Sequence, residues 1–312
     1  MSFWKDSAVP LLASSTSGIF ARLTCHPLDT CKARLQIQGS GASPKYKNLL
    51  DTLLQTYRVE GLRGLYRGFG VTIVGSAPAT CMYLTSYDAA KDMLNSSVFA
   101  ENQFLSHFSA GMIAETFSCV LWVPIDVTKE RLQIQEKAGK GVPTTNYKGS
   151  IDAVHTILRT EGFRGIYKGY GATVASFGPF SAFYFMFYEQ IKSTSINLYY
   201  GTNSDKIRDP PFWLHLINSS TASMLASFVT NPLDLVKLRL QVQRGSGSSV
   251  THTWGEYEGM LDGLRQITIK EGFNGLFRGV GARMAFHGPS IAITISCYEK
   301  LKVWWEDVLG MV

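Results

Sequence analysis

Hydrophobic positions in this chain fall into long charge-free runs rather than the short alternations of a sheet. Phe69–Tyr87, Gly169–Tyr188 and Pro211–Leu233 contain no Asp, Glu, Lys or Arg. Ser7–Ala21 and Met284–Tyr298 are shorter runs of the same kind, and Phe104–Ile125 is interrupted by Glu115 alone. A membrane-spanning helix needs about 20 mostly apolar residues, so the pattern predicts six. Several runs are rich in Gly, Ala, Ser and Thr, which let helices approach closely in lipid. A soluble all-α protein with buried helices is the alternative; runs of spanning length without a charge argue against it. Between the runs, Asn48–Val59, Gly149–Thr160 and Gly259–Lys270 mix aliphatic and charged residues at helical spacing, which predicts three short amphipathic helices.

Composition sharpens this. Of 312 residues, 45% are hydrophobic and 17% charged, below the roughly 25% charged of soluble domains. Mean hydropathy is only +0.02, so a membrane protein of this sequence must hold polar material inside it. Apolar content excludes disorder. Cys25, Cys31, Cys81, Cys119 and Cys297 are odd in number and lack CxxC spacing, which excludes a disulfide scaffold. The net charge of +6 carries no Lys/Arg cluster longer than two, so no nucleic-acid partner is expected. The start, MSFWKDSAVP, leads straight into the first apolar run, and no cleavable targeting peptide is expected there. Chemistry is poorly supported. GSGASPK at Gly39 and KAGKGVPTT at Lys137 lack the GxxxxGK[ST] spacing. No cluster has metal-ligand spacing, and no nucleophile–base signature is present. The chain is therefore read as a non-enzyme with no catalytic or metal-binding residue.

Self-comparison reveals a threefold repeat. PLDTCKARLQ from Pro27 returns as PIDVTKERLQ from Pro124 and PLDLVKLRLQ from Pro232. EGLRGLYRG from Glu60 returns as EGFRGIYKG from Glu161 and EGFNGLFRG from Glu271. YDAAK from Tyr87 returns as YEQIK from Tyr188 and YEKLK from Tyr298. This gives one membrane domain over 1–312 with repeats 1–98, 99–205 and 206–312. Each repeat holds two membrane helices and one amphipathic helix, and three alike suggest a pseudo-threefold bundle around a water-lined cavity. At these positions the sequence resembles the mitochondrial carrier family, the inner-membrane solute transporters. The pattern Pro-x-Asp/Glu-x-x-Lys/Arg-x-Lys/Arg-x-Gln occurs three times in register, and the resemblance covers the whole chain.

Pro27, Pro124 and Pro232 should each bend an odd-numbered helix, because proline removes a hydrogen bond. Acid and base three residues apart share a helix face, so Asp29 and Lys32, Asp126 and Lys129, and Asp234 and Lys237 can pair within a helix. The resemblance implies pairing between repeats instead: Asp29 with Lys129, Asp126 with Lys237, and Asp234 with Lys32, as a matrix-side gate braced by Gln36, Gln133 and Gln241. It likewise implies a cytoplasmic gate of Asp88 with Lys192, Glu189 with Lys302, and Glu299 with Lys91, braced by Tyr87, Tyr188 and Tyr298. Alternating access would close one ring while the other opens. The resemblance also implies structural cardiolipin at Arg67-Gly68, Lys168-Gly169 and Arg278-Gly279, with Gly149 and Gly259 as partners. Backbone N–H groups at helix starts attract phosphate there. The first repeat departs from this with Asn48. Ordinary helix capping is the other reading of those glycines. No further cofactor is expected.

Solute contacts are expected at Gly75-Ser76, Ser176-Phe177 and Phe286-His287, with Arg22 as a cavity-facing cation. Phe177 and Phe286 could stack on a solute or simply pack. Arg22 could hold an anionic or zwitterionic solute or pair with Glu115, and His287 could couple protons. The reading is a monomeric transporter of a small polar solute, anionic or zwitterionic, in the mitochondrial inner membrane. Two others stand beside it. One is a non-transporting structural subunit of a larger respiratory assembly, since fold does not fix function. The other is a proton or anion leak pathway through Glu115 and His287.

Overall fold

A computed structural model describes residues 2–38, 45–95, 103–135, 147–200, 211–244 and 256–308. Helix is the only regular secondary structure among these residues, with no strand. The helices are α1 (Ser2–Gln36), α2 (Leu49–Glu60), α3 (Leu62–Leu65), α4 (Phe69–Asn95), α5 (Gln103–Gln133), α6 (Ser150–Ile166), α7 (Tyr170–Tyr200), α8 (Phe212–Val229), α9 (Asn231–Val242), α10 (Met260–Leu276) and α11 (Val280–Val308). The charge-free runs lie on long helices that extend past them, except Pro211–Leu233, which covers the whole of α8 and enters α9. By length and composition, Leu105–Gln133 is the one stretch among the described residues apolar enough to cross a membrane. The others are diluted by Gly, Ser, Thr and Tyr, which lowers mean hydropathy without adding charge.

The described residues divide into two compact units. The larger comprises residues 26–179 and 230–282, and so holds all three copies of the first and second motifs. α5 carries Pro124 in its interior. In the third repeat the helix breaks instead: Thr230 leaves helical geometry at φ −89° and ψ 7°, and α9 begins beside Pro232. Proline has no N–H to donate. The larger unit has three apolar clusters. Leu235, Val236 and Ile267 are fully buried in one, and Val123, Val127 and Ile157 in the next. The third gathers Leu35, Tyr46 and Ala282.

The amphipathic helices each run to a Glu-Gly pair and turn. Gly61, Gly162 and Gly272 take φ of 69°, 66° and 72°, a left-handed conformation that favours glycine. α6 and α10 therefore bend at this point, whereas α2 and α3 separate at it. Asn48 caps α2 by accepting from the Asp51 N–H at 2.9 Å. Gly149 and Gly259 occupy the same place on α6 and α10 with no side-chain cap.

The smaller unit comprises residues 1–25, 180–229 and 283–312. Its α8 buries a stripe of small residues: Ser219, Ala222, Ser223, Ala226 and Ser227 are inaccessible. Small side chains allow helices to come close. A Cβ on Gly288 would meet Met224 Sδ at 2.9 Å. Arg283 is buried, donates to the Ser227 carbonyl at 2.6 Å and lies over the Phe180 ring.

Candidate functional site

The first motif closes a ring inside the larger unit. Lys129 Nζ lies 3.0 Å from Asp29 Oδ2, Lys237 Nζ 3.0 Å from Asp126 Oδ2, and Lys32 Nζ 2.8 Å from Asp234 Oδ2. Each acid takes the base of a neighbouring repeat, so α1, α5 and α9 are joined in a cycle. Gln133 donates to Asp29 at 3.1 Å and Gln36 to Asp234 at 3.2 Å. Gln241 differs. It packs on Gly169, where a Cβ would sit 2.9 Å from its Cγ, and donates to Thr173 at 3.3 Å. A hydroxyl one turn along α7 is the acceptor nearest to hand.

A second cycle lies beside the ring. Arg34, Arg131 and Arg239, two residues beyond the lysines, are fully buried. Each makes a forked pair with the glutamate of its own repeat. Arg34 reaches Glu60 at 2.7 and 3.0 Å. Arg131 Nη2 lies 3.0 Å from Glu161 Oε2, and Arg239 Nη2 3.1 Å from Glu271 Oε2. The same guanidinium also donates to the next repeat. Arg34 bonds the carbonyls of Gln133 and Gln135 at 3.0 and 3.2 Å. Arg131 bonds those of Gln241 and Gln243, both at 3.1 Å. Arg239 bonds those of Gln36 and Gln38 at 3.3 and 3.1 Å. Arginine's planar fork suits this, since one side can grip a carboxylate while the other donates to carbonyls.

Glycine at 64, 165 and 275 makes room for the clamp, because a Cβ there would overlap the Cβ of Glu60, Glu161 or Glu271. Gln38, Gln135 and Gln243 each bond both backbone groups of a buried tyrosine: Tyr46, Tyr147 and Tyr257 respectively. Sequence reasoning missed both the clamp and this tie. The signal was present, for RLQIQ, RLQIQ and RLQVQ recur in register, and a glutamate opens every second motif.

The cations expected to meet lipid are partly committed to this clamp. Arg67 lies 3.2 Å from Glu60 and Arg278 3.3 Å from Glu271, and both donate to carbonyls, of Gln135 and Gln38. Lys168 instead reaches the Arg244 carbonyl at 3.5 Å. Burial holds the Lys168 ammonium below its ordinary range, against the pull of Glu161. Gly68, Gly169 and Gly279 share φ of 74° to 79° and pack closely, on Lys129, Gln241 and Gln36.

The third motif looks different. Asp88, Glu189 and Glu299 are exposed. Within the smaller unit Lys302 lies 4.0 Å from Glu306, and no ion pair joins it to Glu189 among the described residues. Tyr188 reaches Nδ1 of His215 at 2.9 Å in the smaller unit, and Tyr87 reaches Nδ1 of His107 at 2.7 Å in the larger. Both hydroxyls bond imidazoles. Neither histidine was singled out from sequence.

The expected contact positions are also placed. Gly75 faces Ile125, whose side chain would overlap a Cβ at that position, so it is a packing position. Ser76 and Ser176 bond back to the carbonyls of Ile73 and Ala172. Phe177 is edge-on to Tyr83 at 6.4 Å. In the smaller unit His287 lies between Phe180 and Phe286, at 5.3 and 5.1 Å between centroids. Arg22 is half-buried on α1. Glu115 accepts from Ser118 and Cys119, both at 3.4 Å.

The family model described as Mitochondrial carrier protein matches residues 3–98, 100–198 and 208–308. The chain belongs to this family. It is 36% identical to Mitochondrial substrate carrier family protein E of Dictyostelium discoideum over 98% of both chains. It is 33% identical to Mitoferrin of Dictyostelium discoideum, over 94% of this chain and 93% of that one. It is 31% identical to the mitochondrial aspartate-glutamate transporter of Saccharomyces cerevisiae, over 95% of this chain and 31% of that one. This carrier is accordingly a multi-pass protein of the mitochondrial inner membrane, of a family whose members transport solutes.

Proposed function

We propose that this carrier moves a small anionic or zwitterionic metabolite by alternating access between two charge gates. The observation that carries the reading is the contrast between motifs. All three first-motif ion pairs are formed, while the third-motif acids are exposed. A carrier shut at one end, here read as the matrix end, and open at the other would show this contrast. A ring of buried ion pairs is costly to assemble and costly to break, so it serves as a switch that solute binding can tip.

Six spans, α1, α4, α5, α7, α8 with α9, and α11, fit repeats 1–98, 99–205 and 206–312 of a single domain. Large apolar side chains exposed on them support this, among them Phe20, Val74, Phe117, Phe185, Ile217 and Val303, since lipid would cover such faces. Within the smaller unit, Arg22 would supply positive charge for the solute, with Phe286 and His287 as further contacts. One relative's name cites aspartate and glutamate, and another's thiamine pyrophosphate; all three solutes carry anionic groups. Cardiolipin phosphate would bind the uncapped starts at Gly149 and Gly259 with Gly169 and Gly279, and not at Asn48, whose side chain caps its own helix.

The test is uptake of radiolabelled metabolites by proteoliposomes preloaded with candidate counter-solutes. Exchange of an acidic or zwitterionic class is expected, with Arg22→Ala lowering it at least tenfold. No exchange with any class would sink the transport reading, and capture in a respiratory complex would then favour the structural-subunit reading.

A further inference from the structure

The closed ring holds one carboxyl more than its symmetry requires. Glu130 follows Lys129, where the other repeats have Ala33 and Leu238. It is 93% buried, at 7% relative exposure. Its Oε1 lies 2.9 Å from Lys129 Nζ, the same ammonium that holds Asp29. Its Oε2 is buried and has no hydrogen-bond partner. One turn further along α5, Oε1 of Gln133 is another buried acceptor without a donor.

The charges that face Glu130 are Asp29 and Lys32 from α1 and Asp126 and Lys129 from its own helix. Asp234 and Lys237 complete the ring from α9. That makes four carboxyls against three ammoniums. His26 is the remaining titratable neighbour. Its Nε2 lies 2.9 Å from the Arg67 carbonyl and donates to it, a bond that the neutral and the charged imidazole can both make. Arg34, Arg131 and Arg239 are matched by Glu60, Glu161 and Glu271. A buried charge without a counter-charge is expensive, and buried acceptors normally find a donor.

We propose that Glu130 holds a proton on Oε2 whenever this ring is closed, so that closing the ring takes up one proton and opening it releases one. Lys129 then binds an anionic Asp29 and the neutral carbonyl oxygen of Glu130. With Glu130 neutral, the ring reaches three charges of each sign. When the ring opens and water reaches Glu130, the proton leaves to that water. Protons thereby become a ligand of the gate, and acid on the side where the ring opens favours the closed form. The proton on Glu130 in the closed ring does not rest on the transport reading, whereas its release on opening rests on the gate cycle proposed above.

The experiment uses the full-length purified carrier in lipid, with no solute. Infrared spectra are recorded through a pH titration, with melting curves in parallel. A protonated-carboxyl band at neutral pH is expected in the native chain, retained in Glu115→Gln and lost in Glu130→Gln. An imidazolium at His26 does not give this band. The melting temperature of the native chain should fall as pH rises from mildly acidic to mildly alkaline, because the native state would hold a proton that the unfolded chain releases. In Glu130→Gln that slope should flatten. The inference is overturned if the native chain shows no such band at any pH, or if Glu130→Gln keeps both band and slope. The native-chain spectrum decides the first point even where the variant fails to fold.

Discussion

Asp29, Asp126 and Asp234 stand three residues before a lysine, and so do Asp88, Glu189 and Glu299. The two sets end differently. The first-motif acids pass over their own lysine, take a neighbour's and are largely withdrawn from solvent. The third-motif acids stay in contact with solvent. Spacing on a helix face therefore does not decide whether a charge pairs. What differs is the surroundings. Buried ion pairs need further hydrogen bonds to offset the loss of hydration. Around the first motif these come from Gln36 and Gln133, with the arginine clamp one turn away. Around the third motif Tyr87 and Tyr188 are engaged by histidines. The comparison implies that the first motif is held by a built network and the third by much less.

The sharpest way to break that contrast is to remove one clamp. Arg131→Ala should be the most damaging single change at either end. It strands Glu161 in a buried site, and breaking such a pair costs about 3–5 kcal/mol. Arg34→Ala and Arg239→Ala should cost less, because Arg67 and Arg278 still lie within 3.3 Å of Glu60 and Glu271. Lys168 makes no such ion pair among the described residues. Melting curves of the three variants test this ranking, and equal losses would show that the second arginines add nothing.

Gly275→Ala comes next. A Cβ there would overlap Glu271 Cβ, and overpacking of that kind costs about 1–3 kcal/mol. Part of the loss should be lost Arg239–Glu271 pairing, so the effect should shrink when combined with Arg239→Ala; simple additivity would refute the shared mechanism. Asp126→Asn and Glu189→Gln then set the two motifs side by side. The first leaves a half-buried Lys237 without its carboxylate and should lower the melting temperature clearly. The second alters an exposed group and should stay within about 0.5 kcal/mol. Similar effects for the two would mean that the rings are equally closed.

Much of this was legible in the sequence, but unevenly. The repeat and the helices follow from three copies in register, whereas the partner of each first-motif acid came from the family resemblance, because spacing alone left pairing within a helix open. The clamp was harder to see. Arg34 and Glu60 are distant in sequence, and the carbonyl acceptors at Gln133 and Gln135 have no side-chain signature at all. Gln241 misled because its role depends on Thr173, which stands outside every motif. The part that Arg67 and Arg278 play in the clamp was hidden because a basic residue beside a helix start fits a lipid phosphate and a buried glutamate equally well. Gly75 stands at an expected solute-contact position, yet the Ile125 side chain lies where its Cβ would be, a long-range packing contact that the local pattern does not show.

The smallest effect probes the weakly held end. His107 and His215 stand seventeen residues before Pro124 and Pro232, and the same place in the first repeat is Pro10. Proline offers no side-chain acceptor. Tyr87 and Tyr188 have their imidazoles, whereas Tyr298 has no hydrogen-bond partner among the described residues. Tyr188→Phe should therefore cost about 1 kcal/mol, the usual net worth of one hydrogen bond. Tyr298→Phe should cost less than about 0.5 kcal/mol, as for a surface change. His215→Phe should reproduce the Tyr188→Phe loss, and the double variant should add little beyond either, because contacting residues share one interaction. If Tyr298→Phe proves as costly as Tyr188→Phe, the histidines are not what anchors these tyrosines, and the third motif is held by contacts made equally in all three repeats.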